Sequence, residues 1–190
     1  YRPYVLTDVL RRVLENSGNN VKSVMNVTDI EYSEPNGVDK GEKSEPSLDE
    51  RNPWKIADDY EKIFENISQN LNILPPDKLC RASRHIEDMI AFVKVLQKEG
   101  YAYVVDGNVY FDTSKFEKYA QLAKLNMDHT QSRVKADPRK RNPHDFVLWF
   151  SGKEHPHQVM KWPSPWGEGF PGWHIECSTM ASKYLGPRID

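Results

Sequence analysis

Cysteine is almost missing from this chain: Cys80 and Cys177 are the only two in 190 residues, in unrelated sequence contexts. That excludes a disulfide scaffold and fits a reducing compartment. No run of eighteen apolar residues occurs, and no basic stretch leads into a short apolar one, so neither a membrane span nor a signal peptide is visible. An excess of one charge is lacking too. The 26 basic and 28 acidic residues leave a net charge of -2, which excludes a bulk electrostatic binder of nucleic acid and confines any RNA contact to a local patch. No internal repeat is found. The expectation is a soluble, cytoplasmic protein.

A chain of 190 residues suits one medium domain or part of a larger one. Tyr1-Arg2-Pro3-Tyr4 leads straight into a helical pattern, and Ile189-Asp190 follows a strand-like turn signal, so both ends are expected to be cuts within a longer protein.

Val5, Val9, Leu10, Val13 and Leu14 recur at helical spacing from Tyr4 to Glu15, and Ser17-Gly18-Asn19-Asn20 supplies the stop. Val21 to Val27 then reads as a short strand. A helix, a tight turn and a buried strand make half of a nucleotide-fold crossover, which places the chain in the α/β class with a parallel sheet. From 31 to 52 the chain turns polar around Pro35, Gly37, Gly41 and Pro46, and a mobile surface loop is expected. A helix from Pro53 to Leu71 follows, with Ile56, Tyr60, Ile63, Phe64 and Ile67 on one face. After Pro75-Pro76 a second helix starts near Ser83 and carries Ile86, Met89, Ile90, Val93 and Leu96. Tyr101 to Val105 and Asn108 to Asp112 flank Asp106-Gly107, the strongest hairpin signal in the chain. Phe146 to Phe150 reads as a buried strand, and a last helix runs from Ile175 to Leu185, closed by Gly186.

The segment from Pro163 to Ser178 is unusual on physical grounds. Its glycines allow close backbone approach, its aromatics offer flat apolar walls, and Cys177 sits one turn into a helix, where the dipole favours a thiolate able to bind a soft metal. The plain alternative is a tryptophan-rich core with Cys177 as a small buried hydrophobe.

Here the sequence becomes specific. Pro171-Gly172-Trp173-His174-Ile175-Glu176-Cys177-Ser178, preceded by Ser164-Pro165-Trp166-Gly167, resembles the signature of cysteinyl-tRNA synthetases, class I aminoacyl-tRNA synthetases. Lys140-Arg141-Asn142-Pro143 with Asp145-Phe146 and Leu148-Trp149 resembles the family's preceding stretch. Asp8-Val9-Leu10-Arg11-Arg12, Asn26-Val27-Thr28-Asp29-Ile30 and Asp106-Gly107-Asn108-Val109-Tyr110-Phe111-Asp112 match in the same order. The resemblance implies a partial Rossmann-like nucleotide-binding fold with an inserted helix-and-hairpin connective subdomain. It divides the chain into catalytic-domain residues 1–74, the insertion at 75–163 and a return to the catalytic domain at 164–190. It implies a ligase that joins cysteine and ATP, carried with Mg, into cysteinyl adenylate and then charges tRNA(Cys). One zinc ion is the implied cofactor, because a soft ion takes a thiolate far more readily than an alcohol and so separates cysteine from serine. Cys177 becomes a zinc ligand, and Trp173 and Thr28 line the amino-acid pocket; apart from the resemblance, His174, following Trp173 at a helix start, is a candidate to touch nucleotide. Core packing for Trp173, a turn cap for Thr28 and a structural role for His174 remain the alternatives.

The family's HIGH and KMSKS motifs are not among these residues, and its other zinc ligands are expected before Tyr1 and beyond Asp190, so this stretch alone is expected to be inactive. The loop after Asp29 carries Val38-Asp39-Lys40-Gly41-Glu42-Lys43 where the family has an Asp-Asp-Lys run. A cysteine ligase acting on an amino sugar and a non-catalytic synthetase-like paralogue are the rival readings. Among weaker candidates, His155-Pro156-His157 reads as an exposed loop, Arg133, Lys135, Arg139, Lys140 and Arg141 as a solvated charge run or a phosphate contact, and Cys80 has no visible partner.

Overall fold

The computed structural model describes residues 1–30, 52–119, 121 and 137–189. Apart from Asn52, the loop expected to be mobile lies outside these residues, as do Arg133 and Lys135. Four helices and six strands are described: α1 (Arg2–Asn16), β1 (Val24–Val27), α2 (Pro53–Asn70), β2 (Lys78–Arg81), α3 (Ile86–Lys98), β3 (Ala102–Val105), β4 (Asn108–Phe111), β5 (Phe146–Ser151), β6 (Gly169–Pro171) and α4 (Trp173–Leu185).

The helix ends follow their caps. After α1 the Gly18 N–H donates to Glu15 O and the Asn19 N–H to Leu14 O, both at 3.0 Å, while Gly18 takes a φ of +87° that only glycine adopts freely. Helix α2 starts at Pro53 because the Asn52 side chain accepts from Trp54 N at 3.1 Å.

Strands β1 and β2 pair in parallel, Val24 opposite Lys78 through Val27 opposite Arg81, with α2 between them in the chain. This pair is the parallel nucleotide-fold element expected from the sequence. Its second strand was not expected, since Pro75-Pro76 precedes four residues of which only Leu79 and Cys80 are apolar. Arg81 ties β2 to α2 through Glu61 at 2.7 Å and through Asp58. The Asp8-Arg11-Arg12 motif clamps the approach to β2: Asp8 accepts from Leu74 N at 2.8 Å, Arg11 donates to Pro75 O at 2.9 Å and Arg12 to Asn72 O at 2.7 Å.

The other four strands form an antiparallel sheet in the order β3-β4-β5-β6. Asp106 and Gly107 turn the β3–β4 hairpin at φ +52° and +83°, both left-handed as a two-residue turn requires. Strand β6 was unexpected, because Gly169 and Pro171 both disfavour strands. It forms because Gly169 has no side chain: a Cβ there would lie 2.0 Å from the Phe150 carbonyl oxygen. Strand β2 thus lies past residue 75, where the sequence reading opens the insertion, and β6 lies past residue 163, where it closes it.

One core joins the two sheets. Met89, Ile90 and Val93 of α3 meet Val109, Leu148 and Trp149 of the antiparallel sheet, Ile175 and Met180 of α4, and Cys80 beside β1. In contrast, the apolar faces of α1 and α2 stay largely open among the described residues. Leu6 is 71% exposed and Leu10 56%, while Tyr1 and Tyr4 meet Phe64 with ring centroids 5.7 and 4.9 Å apart.

Candidate functional site

The C-terminal end of β1 and the first turn of α4 come together. This is the end of a parallel strand at which α/β sheets present ligand-binding residues. Helix α4 begins at Trp173, two residues before the expected start, because Gly172 stands at its N-cap with its N–H donating to Leu148 O at 2.9 Å. A Cβ on Gly172 would lie 2.1 Å from the Val147 carbonyl oxygen, so only glycine lets the helix seat against β5.

In that turn Ile175 and Glu176 point inward and are buried, while Trp173 points out and is 61% exposed. Trp173 is therefore not core among the described residues. Its ring lies against His174, centroids 3.7 Å apart, and His174 also meets Phe146 at 4.7 Å. Burial among these rings lowers the His174 pKa, which keeps the imidazole neutral near pH 7.

Cys177, half-buried, turns toward β1, where the Asn26 side-chain N–H donates to its Sγ at 3.1 Å. Trp173 and Cys177 lie four residues apart and so share a helix face. Thr28 is exposed just past the end of β1. Among the described residues it is the neighbouring Asp29 that makes a cap-like contact: it accepts from Ser83 N at 2.8 Å and Ser83 Oγ at 2.5 Å, which pins the strand end to the turn after β2.

At Cys177 the backbone hydrogen bond at the helix start favours the thiolate but is outweighed. Burial first, and then the adjacent Glu176 carboxylate, push the thiol above its ordinary range, with the Asn26 hydrogen bond opposing them. Among the described residues no group of three or more His, Cys, Asp or Glu stands where it could hold a metal ion, so Cys177 contributes one soft donor and not a complete site.

The weaker candidates resolve structurally. His155-Pro156-His157 lies on a loop as expected, with Pro156 and His157 exposed, but the His155 ring is half-buried, edge-on to Phe150 and Phe170 at 5.3 and 5.2 Å. Arg139 is engaged by Asp137 at 2.8 Å and by Glu154, and the Arg141 guanidinium lies 4.1 Å over the Tyr103 ring, so these two cations serve the fold. Cys80 is buried and donates to Met25 O at 3.4 Å.

Two functional-looking residues escaped the sequence reading. Asn26 lies in a quoted motif, but its sulfur partner is 151 positions away. Asp145 is a buried hub, accepting from Tyr103 OH at 2.7 Å, Thr113 N and Oγ1 at 2.9 Å and Asn142 N at 3.0 Å, and so joining the hairpin to the segment before β5.

A parallel strand pair with a connecting helix, an antiparallel hairpin sheet beside it and a glycine-seated helix α4 are consistent with the catalytic-domain fold of class I synthetases. The model of the family described as tRNA synthetases class I (C) catalytic domain matches residues 1–190, and the chain belongs to that family. Curated relatives include the Cysteine--tRNA ligase of Treponema denticola, 43% identical over all of this chain and 39% of that protein. Cysteine--tRNA ligase 1 of Burkholderia lata is also 43% identical, over all of this chain and 41% of its own length. The Cysteine--tRNA ligase of Thermococcus gammatolerans is 43% identical over all of this chain and 38% of itself. The chain spans about two-fifths of the length of these relatives. No helix among the described residues is long and apolar enough to cross a membrane.

Proposed function

We propose that the protein to which these residues belong is a cytoplasmic cysteine–tRNA ligase. It joins the cysteine carboxylate to the α-phosphate of ATP, carried with Mg, giving cysteinyl adenylate and releasing pyrophosphate. It then passes the cysteinyl group to the 3′ end of tRNA(Cys), releasing AMP. Such chemistry needs positioning and charge stabilisation more than a side-chain nucleophile. The relatives' names favour tRNA as the acceptor over an amino sugar.

The observation that carries the reading is the placement of Cys177 Sγ at the carboxyl end of β1, on the helix face it shares with Trp173. Cys177 is read as one of four zinc ligands, the others lying outside the described residues. Zinc, when bound, supplies a soft centre that takes the substrate sulfur and refuses a hydroxyl. The chain's own residues do the rest. Trp173 offers a flat wall to the substrate, Thr28 a hydroxyl at the strand end, and neutral His174, held between two rings, a hydrogen-bonding edge toward nucleotide. Residues 1–74 and 164–190 are assigned to the catalytic domain and 75–163 to the connective insertion; β2, within the insertion bounds, pairs with β1, and β6, within the catalytic bounds, pairs with β5, so both sheets cross that division.

The test is ATP–pyrophosphate exchange by the full-length protein with cysteine or serine, followed by offering the activated cysteine to tRNA and to an amino sugar. Cysteine-dependent exchange and charging of tRNA are expected. Transfer to the amino sugar alone, or exchange indifferent to cysteine, overturns the proposal.

A further inference from the structure

A cavity of about 280 Å³ lies between β2 and the last turn of α4, far more than the ~10–15 Å³ that a single water needs. Its wall carries Lys78 and Arg81 from β2, Arg84 and His85 from the turn after it and Lys183 from α4, against a single carboxylate, Glu61 of α2. In a chain of net charge -2 this is a local concentration of cations. Two of them are already neutralised. Arg81 pairs with Glu61 at 2.7 Å and with Asp58, and Lys183 pairs with Asp88 at 2.6 Å. Lys78 and Arg84 are exposed and form no ion pair among the described residues; the Lys78 Nζ lies 5.3 Å over the Tyr184 ring.

The walls of this cleft are tied together beneath the cations. His85 is 6% exposed, and its Nδ1 lies 2.6 Å from Arg81 O. A carbonyl can only accept, so Nδ1 carries the proton, and in the neutral ring Nε2 accepts from the Tyr184 hydroxyl at 2.7 Å. Lys22 donates to Tyr184 O at 2.5 Å. The turn after β2 and the end of α4 are thereby fixed to each other, and the cations they carry are held in place without a ligand. We infer that the cleft is an anion site that takes a phosphate group, with Lys78 and Arg84 as its free donors. An ammonium and a guanidinium lining one cavity repel each other, and an anion within it relieves that repulsion. Phosphate offers oxygens to both, since a guanidinium takes two of them in parallel and an ammonium acts as a point charge on a third. A free phosphate and a phosphodiester of RNA share this chemistry, and the site is independent of the part that Cys177 plays.

The experiment compares full-length wild type with Lys78→Ala, Arg84→Ala, the charge-keeping Lys78→Arg and, as a control at an exposed lysine elsewhere, Lys153→Ala. Inorganic phosphate is titrated by calorimetry, a single-stranded oligouridylate by fluorescence anisotropy at several salt concentrations, and thermal unfolding reports the fold of each variant. Lys78→Ala and Arg84→Ala are each expected to weaken phosphate binding about tenfold, the loss of one charge-assisted hydrogen bond, with Lys78→Arg and Lys153→Ala close to wild type. If RNA is the source of the phosphate, the slope of log affinity against log salt falls by about 0.7 for each cation removed. Weakened phosphate binding with an unchanged slope assigns the site to free phosphate instead. Phosphate affinity and salt slope both equal to wild type in folded Lys78→Ala and Arg84→Ala overturn the inference. An equal loss in Lys153→Ala overturns it too, because the effect is then diffuse charge and not a site.

Discussion

Replacing Asp145 removes the acceptor on which the segment before β5 depends. The carboxylate is 1% exposed and takes two backbone donors, Thr113 N at 2.9 Å and Asn142 N at 3.0 Å, together with the hydroxyls of Tyr103 and Thr113. In Asp145→Ala the hydroxyls can rotate, and that of Tyr103 already accepts from Arg141 N at 2.8 Å, but the two backbone N–H groups cannot turn away. At about 1–3 kcal/mol for the buried Thr113 N–H left without a partner, with the half-buried Asn142 N–H adding less, the loss of stability is at least about 1–3 kcal/mol. Asp145→Asn is the sharper test. Its amide nitrogen must face one of the two backbone donors whichever way it is turned, so about 1–3 kcal/mol is lost with no change of volume. Burial alone would raise the Asp145 pKa, yet the hydrogen bonds from Thr113, Tyr103 and Asn142 outweigh it and hold the carboxyl below its ordinary value. The folded state therefore binds this proton less readily than the unfolded state. The stabilisation is complete above the ordinary aspartate pKa and is lost as pH falls through the lower folded one. Urea unfolding of the full-length protein and the Asp145→Asn variant across this acid range measures both effects. A variant within about 0.5 kcal/mol of wild type at neutral pH would refute the reasoning.

Gly172→Ala should displace the start of α4 or unfold the region, since its Cβ would meet the Val147 carbonyl oxygen at 2.1 Å; a thermal midpoint equal to wild type contradicts this. His174 should titrate below the ordinary histidine range, because burial disfavours the imidazolium, and its ring-proton NMR shift followed against pH reports the midpoint. A polypeptide of these 190 residues alone should show no cysteine-dependent pyrophosphate exchange above a no-enzyme control, as the ATP-binding motifs are assigned elsewhere in the protein.

Local signals carried most of the elements. The β3–β4 hairpin was legible because Asp106-Gly107 satisfies a backbone requirement that few residue pairs meet. The spacing of Val5, Val9 and Val13 marked α1 equally well, but spacing cannot say what covers a face, and Val9 and Val13 are 51% and 56% exposed. Strands β2 and β6 were missed because both are held by tertiary pairing against weak local preference: Lys78–Arg81 by β1, and Gly169–Pro171 by the close approach to Phe150. At the site, the aromatic and glycine-rich motif drew notice to Cys177, Trp173 and His174. The charge balance around Cys177 and the contact from Asn26 depend on chain segments far apart in sequence, and no local pattern encodes them. The basic run was legible as charge but not as structure, since Asp137 and Glu154 absorb Arg139.

The central claim is that Cys177 holds a metal through which the protein tells cysteine from serine. Its most direct test is zinc content by atomic absorption, with activation rates for cysteine and serine, in full-length wild type, Cys177→Ala and Cys80→Ala. Cys177→Ala is expected to lose most of its zinc and its preference for cysteine, because one of the four proposed ligands is gone. Cys80→Ala, whose buried thiol is turned to Met25 O, is expected to keep both. Full zinc and undiminished discrimination in Cys177→Ala would contradict the account and leave Cys177 a packed thiol near the start of a helix.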